Sequence, residues 1–251
     1  MHDFINVTVQ WTYPLFQRRV QIQGLHSNMT TIAISQSNYI PWKGYFDLIQ
    51  SSDIFVFYDS VQYTKNDWRN RNVIKTSSGL VWLTVPVHQK SISQTINSIE
   101  IAGSHWTKKH WKAITQSYSK SMFFNQYSDY FADIYSSKWL SLSELNQKLL
   151  MDICNLLGIE TTFIRSENFQ LHGDKNQRII QICKELEADT YLSGPAAKSY
   201  IEPKIFEQAG VNLKWMNYSG YMPYQQLYGG YESFVSILDL LFNEGPNAFL
   251  L

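Results

Sequence analysis

Short apolar runs rich in β-branched residues alternate along the chain with amphipathic segments. "TIAIS" (31–35) and "DIFVFYD" (53–59) have the character of strands, and "YFDLIQSS" (45–52) between them predicts a short helix. Strand, helix and strand at this spacing predict a βαβ unit, which requires a parallel sheet. The loop after the first strand then lies at the carboxyl edge of the sheet, where α/β proteins bind ligands.

The middle of the chain changes periodicity twice. "NVIKTSSGLVWLTVPVH" (72–88) predicts a hairpin, because Ser-Ser-Gly separates two alternating segments. From about 106 to 158, apolar residues recur at spacings of three and four, which predicts helices that end at Gly158.

The last third of the chain returns to the α/β pattern. We predict strands at 161–166 and 190–194, joined by a helix that starts at Asp174. A further helix should break or kink at Pro203, and a closing apolar helix should cover 235–245.

These patterns together predict an α/β fold with a mixed, mainly parallel sheet. We expect one domain over residues 29–251 with a helical insertion at about 105–158. Residues 1–28 lack the residue order of a signal peptide, and Met29 directly precedes the first clear strand. The sequence therefore suggests a poorly ordered N-terminal extension and a cytoplasmic protein.

Composition narrows the class of partner. Lys and Arg total 21 and Asp and Glu total 21, so bulk charge does not favour a nucleic acid or a membrane surface. No apolar run approaches the roughly 20 residues of a membrane span. Cys154 and Cys183 have neither zinc nor redox-motif spacing, and we expect buried thiols in a reducing compartment, with a disulfide as the lesser alternative.

Three segments carry more polar and aromatic residues than packing requires. In the first, "QSNYIPWKGYFDLI" (36–49), the amides after the first strand and the following helix start could face an anion, with Lys43 adding a positive charge. Gly44 would let a ligand approach the backbone. The alternative is an aromatic loop that only covers the sheet edge.

The second segment, "DSVQYTKNDWRNRNVIK" (59–75), begins at the carboxyl end of the second strand. It alternates cations with carboxylates and amides, a composition that can clamp phosphates and select sugar hydroxyls. A solvated charged loop is the alternative.

The third segment, "YLSGPAAKSYI" (191–201), is a strand-to-helix turn that could cradle a phosphate or a carboxylate. Ser193 could cap the following helix, and Lys198 would lie one turn inside it. A tight turn with a structural cap is the alternative, and the Gly-Lys-Ser/Thr ending of a P-loop is missing.

Histidine chemistry has weaker support. His105 and His110 flank Trp106 without a third residue at metal-ligand spacing, so we expect no metal site. His172, in "LHGDK", is a candidate general base, although a hydrogen-bonded loop histidine is the alternative.

At the same three segments the sequence resembles the WbqC-like family of bacterial proteins. That family is associated with O-antigen and other surface-polysaccharide gene clusters. The resemblance covers nearly all of the chain after Met29. It is carried by Gln36, Tyr39, Pro41, Trp42, Gly44, Tyr45, Asp59, Val61, Gln62, Tyr63, Trp68, Asn70, Arg71, Asn72, Lys75, "WLTVPV", "GDKNQR", "YLSGPAAKSYI" and "YGGYESFVSILDLLFNEG". Ser60 stands where an acidic residue is expected after Asp59, which weakens a magnesium role there.

A more distant resemblance links the opening βαβ unit to HIGH-motif nucleotidyltransferases, whose fold binds nucleotides. Those enzymes hold ATP phosphates with H-x-G-H at the helix start. Trp42 and Tyr45 occupy the two histidine positions here, and neither can act as a protonated imidazole.

The family resemblance implies a transferase that attaches a small acyl or aminoacyl group, with glycine as a candidate, to an amino sugar or sugar nucleotide. The alternatives are an ATP-dependent nucleotidyltransferase or carboxylate-activating ligase using ATP and Mg, and a non-catalytic sugar-nucleotide-binding subunit among polysaccharide-assembly proteins. Attack on an activated carboxylate needs a base and cations for the leaving group. The expected catalytic residues are His172, Lys65 and Asp59. The expected substrate-binding residues are Gln36, Tyr39, Trp42, Lys43, Gly44, Tyr45, Gln62, Tyr63, Trp68, Arg69, Asn70, Arg71, Lys75, Ser193, Gly194 and Lys198.

Overall fold

The computed structural model describes residues 29–248, so the predicted extension over 1–28 lies outside the described residues. Strands and helices alternate through most of this range. The strands are β1 (Thr31–Ser35), β2 (Ile54–Phe57), β3 (Arg71–Thr76), β4 (Gly79–Thr84), β5 (Val87–His88), β6 (Glu100–Ile101), β7 (Thr162–Arg165), β8 (Thr190–Ser193) and β9 (Asn212–Trp215). The helices are α1 (Lys43–Gln50), α2 (His105–Tyr118), α3 (Phe124–Ser136), α4 (Leu142–Leu156), α5 (Lys175–Glu185), α6 (Pro203–Gln208) and α7 (Ile237–Glu244).

A five-stranded sheet forms the centre of the fold in the order β7-β2-β1-β8-β9. Every neighbouring pair in it is parallel. The expectation of a mixed sheet is therefore wrong for the central sheet. The antiparallel strands form two separate two-stranded sheets, β3-β4 and β5-β6.

Helices cover both faces of the central sheet, and β1 shows why. Its side chains alternate, so Ile32 and Ile34 pack in the cluster that contains α5 and α6. Ala33 points the other way, into the larger cluster formed with α1, α2, α3, α4 and α7. Strands buried on both faces need apolar residues at successive positions, as Ile32, Ala33 and Ile34 provide.

Helices α2, α3 and α4 occupy most of the predicted insertion over 105–158. Their apolar faces pack into the same cluster as one face of the sheet. The β3-β4 hairpin lies against α2 and α7. These helices thus help to bury the βαβ unit that carries the first candidate loop.

Most of the predicted helix boundaries are confirmed. Gly158 follows α4 with a positive φ of 70°, and Asp174 caps α5 in a capping box with Gln177. Pro203 starts α6 after a short 3-10 turn (Pro195–Ser199), so the predicted break is real. Strand β9 was missed because "NLKW" is a short edge strand without strong alternation.

Candidate functional site

The order of the central strands creates a crevice between β1 and β8. The chain goes from β1 outward to β2 and β7, and then crosses to β8 on the other side of β1. At such a reversal the loops after the two central strands diverge, and parallel α/β proteins bind ligands in the space between them. The loops that begin at Gln36 and Gly194 flank this crevice.

The turn after β1 is held by its own contacts and by those of a distant segment. Tyr45 donates a hydrogen bond from its hydroxyl to the carbonyl oxygen of Gln36 at 2.7 Å. Trp42 packs edge-on against Tyr218 and Tyr221, with ring centroids 5.2 and 6.0 Å away. A Cβ on Gly44 would collide with the Trp42 ring, so glycine here makes room for that indole.

Lys43 and Tyr39 are both buried, although the sequence suggested ligand contacts for both. The Lys43 ammonium lies 4.2 Å from the centre of the Tyr221 ring, and burial lowers the pKa of Lys43. Tyr39 is fully buried, and its hydroxyl contacts His110 Nδ1 at 2.8 Å and the Tyr135 hydroxyl at 2.6 Å. These positions favour a structural role for Tyr39, and its proposed ligand contact stays a prediction.

Asp59 is the centre of a buried polar cluster. Its carboxylate has no exposed surface and accepts hydrogen bonds from the Ser37 amide and hydroxyl, both at 2.8 Å. It also accepts from the Ser143 hydroxyl and, at 2.9 Å, from Gln147 Nε2. With four donors and no solvent contact, this carboxylate is placed to fasten the β1 loop to α4, and its catalytic assignment remains an untested prediction.

Two arginines near this edge of the sheet keep unused donors. Arg69 pairs with Asp67 at 2.5 Å, yet its buried Nε has no partner in the described chain. Arg178, in the first turns of α5, likewise has a buried Nε without a partner among residues 29–248. Buried polar groups are nearly always hydrogen-bonded, so two such donors are candidates for contacts to a ligand or to ordered water.

Two tyrosines connect these arginines. Burial raises the pKa of Tyr58, the charge and hydrogen bond of Arg178 oppose that rise, and electrostatic interaction with Tyr200 adds to it, which links the two tyrosines. Partial burial raises the pKa of Tyr200, and the charge of Arg69 opposes that rise. Lys175 adds a third cation, with its Nζ 5.1 Å from the centre of the Tyr200 ring. We call these five residues, together with Asn38, the arginine crevice.

Asn38 belongs to this group by position and by its unused acceptor. It follows Ser37 in the loop after β1, and its buried Oδ1 has no hydrogen-bond partner among residues 29–248. The neighbouring amide of Tyr39 donates to the carbonyl oxygen of Trp68 at 3.0 Å, which brings this loop beside Arg69. The crevice therefore offers both donors and an acceptor.

The turn after β8 contributes less than its sequence suggested. Ser193 is buried and accepts a hydrogen bond from the Tyr191 hydroxyl at 3.1 Å. Gly194 precedes the 3-10 turn, and a Cβ there would lie in ordinary contact with the Tyr218 hydroxyl. Lys198 is exposed, 5.5 Å from the centre of the Trp215 ring.

The segment after β2 lines two adjoining open grooves of about 470 and 510 Å³. Lys65 is exposed and borders both of them. The Gln62 amide is already bonded to the carbonyl oxygen of Ile92 at 2.7 Å, and Tyr63 is buried. No groove-lining residue in the described chain has a buried, unpartnered side-chain polar atom, so the arginine crevice is the stronger candidate.

The remaining residues of the second segment make contacts in and around the β3-β4 hairpin. Asn70 bonds the carbonyl oxygen of Val85 at 2.8 Å, and Arg71 Nη2 donates to the carbonyl oxygen of Asn66 at 2.5 Å. The buried Asn70 Oδ1 and Arg71 Nε have no partner among residues 29–248. Trp68 is half exposed and stacked on Trp82. Lys75 is buried, and its ammonium bonds the Gln226 side chain at 3.0 Å and the carbonyl oxygen of Gly230.

His172 lies on the surface before α5. Its amide donates to Gln181 Oε1 at 2.9 Å, and its carbonyl oxygen accepts a hydrogen bond from Gln181 Nε2 at 3.0 Å. Within residues 29–248, no hydrogen bond, ion pair or ring contact joins the His172 imidazole to Lys65 or Asp59, so these interactions do not bring the three predicted catalytic residues together. The role of His172 as a base remains a prediction.

Cys154 and Cys183 are buried and unpaired, as expected. Within residues 29–248, no group of three His, Cys, Asp or Glu side chains is arranged to hold a metal ion. Every helix in this range is too short or too polar to span a bilayer.

Sequence reasoning missed five members of the arginine crevice: Asn38, Tyr58, Lys175, Arg178 and Tyr200. One signal could have found Arg178, because "GDKNQR" opens a helix that follows a predicted parallel strand. The first turns of such a helix lie at the carboxyl edge of the sheet. Tyr58 directly follows β2 at that edge, so its position was available by the same argument.

Comparison with known proteins places the chain in a family. The model of the WbqC-like protein family matches residues 36–250. The uncharacterized protein Rv1507c of Mycobacterium tuberculosis (strain ATCC 25618 / H37Rv) is 47% identical over 222 residues, which cover 88% of this chain and 96% of that protein. No solved structure matches the chain significantly. The matched range includes both sides of the arginine crevice, and the chain belongs to the WbqC-like protein family.

Proposed function

We propose that the protein is a transferase that binds a phosphate-bearing sugar in the arginine crevice and attaches a small acyl or aminoacyl group to it. Glycine is the first candidate for the transferred group. The observation that carries the proposal is the pair of buried, partnerless Nε donors of Arg69 and Arg178 beside the switch point of the sheet. Planar guanidinium groups match the geometry of phosphate oxygens, and the low local dielectric strengthens such bonds.

The substrate class follows from the residues around these donors. Arg69, Arg178 and Lys175 supply positive charge for a phosphate or pyrophosphate group. The Tyr58 and Tyr200 hydroxyls and the unpartnered Asn38 Oδ1 can bond sugar hydroxyls or an amino group. Tyr200 is 46% exposed, so one side of the crevice is open to a larger substrate.

The proposed reaction is acyl transfer to a sugar amine or hydroxyl. The nucleophile attacks the activated carboxyl carbon, the C–N or C–O bond forms, the leaving group departs with its electron pair, and the nucleophile loses one proton. The cations of the crevice would hold the phosphate of the sugar and orient the nucleophile. Lys65 and His172 remain the predicted candidates for proton transfer.

A second candidate function is supported by the strand order. Parallel sheets that reverse direction beside their first strand commonly bind nucleotides at that point. An ATP-dependent nucleotidyltransferase or carboxylate-activating ligase would use the same crevice for the phosphates of ATP with Mg. Trp42 is the N-cap residue of α1, at the position where the H-x-G-H enzymes carry a histidine, so such an enzyme would hold phosphate through the arginines.

The test is calorimetric titration of the full chain with inorganic pyrophosphate, UDP-N-acetylglucosamine and ATP, each with and without Mg. We expect pyrophosphate and the sugar nucleotide to bind, and Arg178→Ala to weaken both about tenfold or more, because a charge-assisted hydrogen bond contributes about 1.5–3 kcal/mol. Lys184→Ala is the matched control, since it removes one positive charge from the exposed last turn of the same helix.

Each outcome separates the candidates. Equal weakening by Arg178→Ala and Lys184→Ala would contradict the crevice as the site. Release of pyrophosphate from ATP when glycine is present would favour the ligase. Binding of the sugar nucleotide without turnover, whether the donor is a preactivated glycyl group or free glycine with ATP and Mg, would leave a non-catalytic binding subunit.

A further inference from the structure

The outer edge of strand β4 is exposed, apolar and uncharged. Leu80, Val81 and Trp82 are 51%, 38% and 48% exposed. β4 is the edge of a two-stranded sheet, and its sequence, "GLVWLT", contains no Lys, Arg, Asp, Glu or Pro. Soluble proteins normally protect such edges with charges, prolines or covering segments, so this strand has the features of a pairing surface.

Hydrogen bonds on the other side of the hairpin show which backbone groups of β4 point outward. Val73 accepts a bond at its carbonyl oxygen from the Ser236 amide, and the Lys75 amide donates to the Tyr118 hydroxyl. Both groups therefore point away from β4. In an antiparallel ladder, directly opposite residues either exchange both hydrogen bonds or both turn away.

The same rule then applies to the residues opposite them. Trp82 pairs with Val73 and Leu80 pairs with Lys75, so Trp82 and Leu80 direct their N–H and C=O groups away from β3. The carbonyl oxygen of Thr84 follows the same alternation and contacts His110 Nε2 at 3.2 Å. Within residues 29–248, the backbone groups of Leu80 and Trp82 have no such partner.

We propose that β4 pairs antiparallel with β4 of a second copy of the chain, around a two-fold axis at Val81. This register places Leu80 opposite Trp82 of the second copy, and the two pairs would exchange about four backbone hydrogen bonds. Leu80 and Trp82 lie on the same face of the strand, so each exposed Leu80 would cover an exposed indole. Val81 would meet Val81 of the second copy.

The side chains favour this register over its neighbours. An axis at Trp82 would pair Leu80 with Thr84, whose carbonyl oxygen is already engaged by His110. It would also pair exposed Val81 with Leu83, which is only 3% exposed. The Val81 axis instead pairs exposed apolar residues with each other and forms an isologous interface, the commonest kind in homodimers.

The surface beside β4 extends the interface. Trp68 is 45% exposed and stacks on Trp82, with ring centroids 5.5 Å apart and an interplanar angle of 30°. Arg71 lies over the Trp82 ring at 4.5 Å. The pair of indoles would lie under the second copy's Leu80 and continue the apolar contact beyond the strand. This inference is independent of the reaction proposed for the crevice.

The first experiment measures the mass of the full chain in solution by light scattering over the micromolar range. We expect a dimer, and we expect Val81→Lys to weaken dimerisation at least about tenfold, because it places two ammonium groups opposite each other on the axis. Val81→Thr is the matched control, since it keeps a neutral β-branched side chain and should stay dimeric. A monomeric wild type, or a Val81→Lys variant that dimerises normally, would overturn the proposal.

A cross-linking experiment tests the register itself and does not depend on the folding of the lysine variant. In a non-hydrogen-bonded pair the Cα atoms are about 4.5 Å apart, which is within reach of a disulfide. Val81→Cys should therefore form a covalent dimer under mild oxidation, whereas Leu80→Cys should do so much more slowly because its own copy lies two residues away. The native cysteines are buried and unpaired. Equal rates for the two variants would reject this register, and no cross-link in either would reject the pairing.

Discussion

Two polar clusters close to the carboxyl edge of the sheet differ in how far their charged groups are hydrogen-bonded, although the buried Gln147 Oε1 beside Asp59 also has no partner among residues 29–248. The Asp59 carboxylate is fully buried and accepts bonds from Ser37, Ser143 and Gln147. In the arginine crevice, Arg69 and Arg178 each keep a buried Nε without a partner in the described chain. The first arrangement stabilises a loop, while the second keeps bonding capacity for something else. Residue type alone did not separate them, because the sequence analysis named Asp59 and Arg69 alike as candidates for chemistry.

The largest expected effect on stability comes from a substitution of Asp59 in its buried polar cluster. Asp59→Ala removes the acceptor of four buried donors, and we expect it to lower the free energy of unfolding by roughly 3–5 kcal/mol, because buried groups left unbonded keep their full desolvation cost. Urea denaturation followed by circular dichroism measures this change. Asp129→Ala, on the exposed face of α3, is the control and should stay within about 0.5 kcal/mol of the wild type.

The result also decides the role of Asp59. A stable Asp59→Ala protein that has lost its activity would return this carboxylate to the list of catalytic residues. An unstable protein would show that the carboxylate fastens the loop between β1 and α1 to α4.

The buried hydrogen-bond network around His110 predicts that the fold loses stability in acid. His110 Nε2 lies 3.2 Å from the carbonyl oxygen of Thr84, which can only accept, so Nε2 carries the proton and Nδ1 accepts from the Tyr39 hydroxyl. Tyr135 then donates to Tyr39. Burial lowers the pKa of His110 to about 4, because the imidazolium would be desolvated in this network.

The sign of the pH effect follows from this shift. An unfolded histidine has a pKa of about 6.5, so the unfolded chain binds a proton at His110 between about pH 6.5 and 4 while the native state does not. Stability from this group is present above pH 6.5 and falls as the pH drops through that window, by about 3 kcal/mol in total.

The measurement compares denaturation of the wild type and His110→Gln from pH 7.5 to pH 4. Glutamine can also donate to Thr84 and accept from Tyr39, but it does not titrate, so the wild type should lose about 3 kcal/mol relative to His110→Gln between about pH 6.5 and 4, and the difference should stay constant at lower pH. Parallel curves for the two proteins would mean that His110 is not protonated during acid unfolding. Other carboxylates contribute equally to both curves and cancel in the difference.

The smallest expected effect on stability comes from a substitution in the arginine crevice. Arg178→Ala removes a partly buried charge with an unpartnered donor, so we expect a change in the free energy of unfolding within about 0.5 kcal/mol, or a slight stabilisation. The same variant is expected to lose ligand affinity, which is the opposite pattern to Asp59→Ala. A loss of several kcal/mol on Arg178→Ala would show that its bond to Tyr58 is structural and would weaken the crevice as a site.

Local rules placed most of the secondary structure. The run 31–35 became β1 with the same bounds, because its three central apolar residues suit a strand that is buried on both faces. Gly158, Asp174 and Pro203 marked helix boundaries through positive φ, capping and a missing N–H. The mixed sheet was predicted wrongly because sequence periodicity does not show which strands become neighbours.

The candidate site was only partly visible in the sequence. The loops after β1 and β8 were expected at the carboxyl edge, and the strand order places them on either side of the reversal point. Tyr39, Asp59 and Lys75 have the same residue types as ligand-binding groups, yet each is buried and bonded to other parts of the chain. Arg178 is more than a hundred residues from Arg69, and no local pattern links the two side chains.

The sequence by itself determined the α/β class, the βαβ opening and the helix boundaries, because these depend on residue periodicity and on backbone preferences that act over a few residues. Only the tertiary structure decided the strand order, the burial of Asp59 and the open edge of β4. Those features depend on which distant groups find hydrogen-bond partners when the chain packs, and that cannot be derived from local preferences.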